Sequence, residues 1–65
     1  MSMLGKTWQV SYGNASVPCK TENDAKLLAR ELVKKGHQVS AETLEGQSPV
    51  RIIAHHQIFA WLAES

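Results

Sequence analysis

The apolar residues of this chain change period three times, and that switching most constrains its fold. Trp8, Val10 and Tyr12 alternate with Thr7, Gln9 and Ser11, and beyond Gly13-Asn14 the residues Ala15, Val17 and Cys19 alternate with Ser16, Pro18 and Lys20. A period of two is that of a half-buried strand, and a Gly-Asn dipeptide between two such runs predicts a hairpin around a primed turn. Pro18 has no N–H to give to a ladder, so the second strand belongs at a sheet edge. The period then becomes helical: Ala25, Leu28, Ala29, Leu32 and Val33 share one stripe. Thr21 with Asp24 resembles a capping box, and the acidic Glu22 and Asp24 suit the positive end of the helix dipole. Gly36 is the stop, with Lys34 and Lys35 in the last turn. The pairs Glu22–Lys26 and Glu31–Lys35 add i,i+4 support.

From His37 to Ala54 the period of two returns, with Val39, Ala41 and Thr43 on one face, a loop at Glu45-Gly46-Gln47-Ser48, and Val50, Ile52 and Ala54 coming back. Ile53 breaks that alternation. Ile58, Phe59, Trp61 and Leu62 then recur at helical spacing, predicting a terminal helix of about ten residues from His55. The order is ββαββα, an α+β two-layer sandwich. If the third strand pairs with the first, the sheet is antiparallel in the order 2-1-3-4, and a right-handed crossover lays the long helix on the face of Trp8, Val10, Val17, Val39 and Ile52. The short C-terminal helix closes the chain. The other face, built from Thr7, Gln9, Ser11, Ser16, Ser40, Glu42 and Arg51, is polar and either solvated or covered by a partner. Residues 1–5 are expected to form a flexible N-terminus, and residues 6–65 one small domain.

Size limits what such a domain can do. Ordering 65 residues costs on the order of 100 kcal/mol of conformational entropy, so only a few kcal/mol of net stability remain. Cys19 stands alone and closes no internal disulfide, which favours a reduced, cytoplasmic setting. Seven Lys and Arg against six Asp and Glu leave a net charge of +1, too balanced for general attraction to nucleic acid or membranes. No run approaches the ~20 apolar residues of a membrane span.

The paired His55 and His56 invite a metal-site reading, but neighbouring residues lie about 100° apart on a helix and on opposite faces of a strand, so they do not grip one ion. The expectation is a corner: His55 partly buried and bonded to backbone, His56 in water, and no metal bound. Cys19 is expected to act as a small core hydrophobe. No nucleophile stands beside a base, and Gly5, Gly13, Gly36 and Gly46 are too dispersed for a phosphate loop. A domain this small has little room for a substrate pocket, so neither an enzyme nor a cofactor or small-molecule site is expected.

The run Asn23–Ser40, with Ala25, Leu28, Ala29, Leu32 and Gly36, resembles the helix-to-strand step of sporulation-related peptidoglycan-binding repeats. The likeness spans about a quarter of the chain. A hairpin precedes the helix where that family has one strand, and a helix ends the chain where that family has a strand. The family's function is therefore not carried over.

Two surfaces remain as candidates. Lys26, Arg30 and Lys34 form an i, i+4, i+8 row that could track a phosphate backbone, although the sheet face lacks aromatic platforms for stacking bases. Leu27 lies on the polar flank of the long helix, while Phe59 and Trp61 occupy the two margins of the terminal helix stripe, more aromatic surface than one short helix can bury. The leading expectation is a non-enzymatic accessory module that binds a protein, a second copy of itself included, through Leu27, Phe59 and Trp61. The alternative is nucleic-acid binding through Lys26, Arg30 and Lys34.

Overall fold

The computed structural model describes residues 6–64, and the expected flexible N-terminus at residues 1–5 lies outside them. Strands β1 (Lys6–Tyr12) and β2 (Ala15–Cys19) precede helix α1 (Glu22–Lys34). Strands β3 (Val39–Glu45) and β4 (Ser48–Ile53) follow, then a 3-10 turn at His55–Gln57 and helix α2 (Ile58–Ala63). The four strands form one antiparallel sheet in the order β2-β1-β3-β4, as the switching periods predict.

Local chemistry explains the boundaries. Gly13 adopts a φ of 56°, which lets a two-residue link join Tyr12 to its partner Ala15. Thr21 Oγ1 accepts the Asp24 N–H at 3.1 Å and so caps α1. The return bond of a full capping box is not made, in keeping with a carboxyl one methylene shorter than that of Glu. At the other end the His37 N–H bonds the Leu32 carbonyl at 3.1 Å and the Gly36 N–H bonds that of Val33 at 3.0 Å, with Gly36 at a φ of 92°. This is the Schellman arrangement, in which glycine takes the left-handed position and satisfies carbonyls the helix leaves free. Of the two expected ion pairs along α1, Glu22–Lys26 closes at 3.7 Å and Glu31–Lys35 does not form.

Helix α1 lies across β1, β2 and β3, burying Ala25, Ala29 and Leu32 against Trp8, Val10, Val39 and Ala41. The core is completed from the C-terminal end by Ile53, Ile58 and Trp61. The expected inner face needs one correction. Thr43 pairs with Arg51 but Leu44 pairs with Pro49, so Val50 has no residue opposite it. That bulge reverses the alternation downstream, and Ile53 enters the core while Ile52 stays exposed on the outer face beside Glu42. Arg51, expected on the polar face, therefore sits on the inner side and reaches past the core to Glu64 at 3.2 Å. Thr7, Gln9, Ser11, Ser16, Ser40 and Glu42 form the outer face as expected, with the Ser11 and Ser16 hydroxyls 3.1 Å apart across the hairpin.

Candidate interaction surface

The two aromatic residues of α2 have opposite fates. Trp61 is 1% exposed: its ring stacks on Trp8 with centroids 5.4 Å apart and planes 19° from parallel. Its indole N–H donates to the Glu22 carboxylate at 3.0 Å, and the Lys26 ammonium lies 5.6 Å from the ring centre. A buried indole needs a partner for its one polar atom, and the first turns of α1 supply it. Trp61 is therefore removed from the expected interaction surface, because its position completes the core. Phe59 projects from the other margin of α2 and is 65% exposed.

Lys26 is removed from the basic row for a related reason. Its ammonium bonds the Glu64 carbonyl at 2.9 Å and lies 3.7 Å from Glu22, so it fastens the end of α2 to α1. The row shrinks to Arg30 and Lys34, both exposed and without an ion-pair partner among the described residues. These two cations and Phe59, expected on rival surfaces, share one groove. It measures about 350 Å³ and runs between α1 and α2, lined by Arg30, Val33, Lys34, Phe59, Leu62 and Ala63. Its walls are mostly apolar and its α1 rim is positive. Leu27 is 54% exposed and lies two turns before Lys34 on the same side of α1, and it is not among the residues that line the groove.

Leu62 and Val33, expected in the buried stripes, also line the groove; both are half-buried and pack on the core's margin. The available signal was their spacing, since Leu62 follows Phe59 by three residues and Val33 follows Arg30 by three, one helical neighbour in each case.

His55, the first of the paired histidines, makes a local contact. His55 Nδ1 accepts the Val39 N–H at 3.2 Å and lies 3.3 Å from the Val39 carbonyl, tying the 3-10 turn to the start of β3. The Gln57 side chain caps the same turn by accepting the Ala54 N–H at 3.1 Å. His55 also lines an open recess of about 430 Å³ with Tyr12 and His37, and the rings of those two are 5.2 Å apart. Among the described residues no group of three or more His, Cys, Asp or Glu side chains converges as a metal site would require. Cys19 is half-buried against the core, and burial first, then the Asp24 carboxylate, push its thiol above the ordinary value. Among the described residues no helix is long and apolar enough to cross a membrane.

Comparison with family models, with curated proteins and with solved structures returns no match. The likeness of Asn23–Ser40 to one step of a peptidoglycan-binding repeat thus stays a likeness of a helix feeding a strand.

Proposed function

We propose that this protein is a small, non-enzymatic binding module of the cytoplasm, which works by docking another protein against the groove between α1 and α2. One observation carries the reading: Phe59, a large aromatic on α2, is 65% exposed beside Leu62 and next to two cations that have no ion-pair partner among the described residues. A domain with only a few kcal/mol of stability gains nothing in folding from an aromatic left in water, whereas aromatic and arginine side chains at the centre of a contact carry most of its binding energy. The sole cysteine, which closes no internal disulfide, favours the cytoplasmic setting.

Nucleic-acid binding is the rival. With Lys26 tied to Glu64 and Glu22, it would rest on Arg30 and Lys34 alone. A salt titration against random duplex and single-stranded DNA separates the two, because counterion release gives a slope near the number of phosphates neutralised, while an apolar contact is nearly insensitive to salt. The expected result is no DNA affinity above the background of a +1 protein. DNA binding that falls steeply with salt and vanishes on Arg30→Glu would overturn the proposal. Sedimentation over a concentration series then states whether a second copy is the partner.

A further inference from the structure

We infer that the α1–α2 groove takes an acidic, apolar peptide segment: one that places a bulky apolar side chain between Phe59, Leu62 and Val33 and carboxylates on Arg30 and Lys34. The inference rests on the binding-module reading above and names the chemistry of its partner. Three features of the groove lead to it.

The first is uncompensated charge. Arg30 and Lys34 stand one helical turn apart on the same side of α1, where like charges repel, and among the described residues no acid pairs with either. Glu22 is taken by Lys26 and Trp61, and Glu64 by Arg51. Among the described residues neither Asp24 nor Glu31, although Glu31 is only three residues before Lys34, forms an ion pair with either cation, and Glu42 and Glu45 belong to the sheet. Two cations about 6 Å apart along a helix suit two carboxylates of one ligand chain, and the planar guanidinium of Arg30 can hold a carboxylate through two parallel bonds.

The second is the shape and lining of the groove. A volume of about 350 Å³ lies at the low end of ligand sites and has room for the side chains of a short segment. Four of its six lining residues, Val33, Phe59, Leu62 and Ala63, are apolar, so the ligand must bring apolar surface. A phosphate backbone would satisfy the rim and leave Phe59 in water.

The third is scale. A standard protein contact covers roughly 800 Å² of each partner, close to a fifth of the 4419 Å² this chain exposes. The groove is a small part of that, which matches a linear segment held weakly and reversibly rather than a globular face.

The test is a titration of the isotope-labelled protein, followed by backbone amide shifts, with three short synthetic peptides. One carries a Leu-Phe core flanked by Glu on both sides; the second replaces each Glu with Lys; the third replaces Leu and Phe with Ser. The expected result is saturable shifts at Val33, Phe59 and Leu62 with the acidic apolar probe, and affinity weaker by about tenfold or more with each control. Phe59→Ser should lose binding to the same extent with its spectrum otherwise intact. The double variant Arg30→Glu with Lys34→Glu should prefer the Lys probe, a reversal that a merely structural role of these residues would not produce. A flat titration, equal binding of the Glu and Lys probes, or shifts confined to another surface would overturn the inference. So would shifts at Phe59 that grow with protein concentration alone, since the occupant is then a second copy. If the probes fail while a protein still cross-links through position 59, the partner chemistry falls and the binding module stands. Salt-steep DNA binding would remove both.

Discussion

Trp61 and Phe59 are two residues apart on one short helix, and replacing each with alanine should separate their duties by several kcal/mol. Trp61 is 1% exposed and stacked on Trp8, so Trp61→Ala opens a cavity at the centre of the core. Truncating a buried aromatic costs about 3–5 kcal/mol. The single core of a 65-residue chain supplies about 3–5 kcal/mol in total, so the substitution consumes most of the fold's stability. Phe59 is 65% exposed, so about a third of its surface is buried. Losing a third of a full burial costs roughly 0.5–1 kcal/mol, and alanine returns up to about 0.5 kcal/mol through its better helix propensity. The net change should lie within about 0.5 kcal/mol. Urea melts followed by far-ultraviolet circular dichroism read both, each variant being compared by its own midpoint because the stacked Trp8–Trp61 pair itself adds to that signal. Phe59→Ala should leave the midpoint within about 0.5 M of the parent, while Trp61→Ala should lack a full cooperative transition. Equal losses at the two positions, or a larger one at Phe59, would refute the division of labour.

Three further substitutions follow from particular contacts. Thr21→Ala removes the bond to the Asp24 N–H and should cost about 1 kcal/mol in the same melts; an unchanged midpoint would mean the cap contributes nothing. Thr43 Oγ1 is buried with no hydrogen-bond partner among the described residues, so Thr43→Val should raise stability by about 1 kcal/mol, and a lowered midpoint would reveal a partner for that hydroxyl. The thiol of Cys19 is raised, so the folded state keeps its proton longer than the unfolded chain does; the stability this gives is present below the ordinary thiol pKa and is lost as pH rises through the raised value. Iodoacetamide should accordingly modify the folded protein more slowly than free cysteine near neutral pH, and Asp24→Asn should bring the reaction's onset to lower pH; a rate equal to that of free cysteine would contradict this.

The sheet order and the long helix were legible in the sequence because each element there is specified twice, by its period and by its turn chemistry. Val39, Ala41 and Thr43 alternate between Gly36 and Gly46, and Thr21 and Gly36 bracket α1. The return strand lacked that redundancy. Val50, Ile52 and Ile53 are all apolar, so their pattern fits either phase, and only the bulge opposite Thr43 and Leu44 decides which isoleucine is inside. The aromatics of α2 posed the same difficulty. At about 100° per residue, Phe59 and Trp61 lie some 80° to either side of the line through Ile58 and Leu62, so the helix alone does not choose between them. The choice is tertiary: Trp8, Glu22 and Lys26, all distant in sequence, provide a stack and a hydrogen bond on the Trp61 side. The groove was hidden for the same reason, since its two walls come from helices separated by the β3–β4 hairpin.

The central claim is that the face carrying Phe59 meets a protein partner, and a photo-cross-linking amino acid placed at position 59 tests it most directly. In intact cells that make the protein, position 59 should yield a discrete protein adduct that is lost on Leu62→Ser, while the same probe at Thr7, exposed on the outer face of the sheet, should yield none. Equal, diffuse labelling from both positions, or an adduct to nucleic acid, would contradict the account.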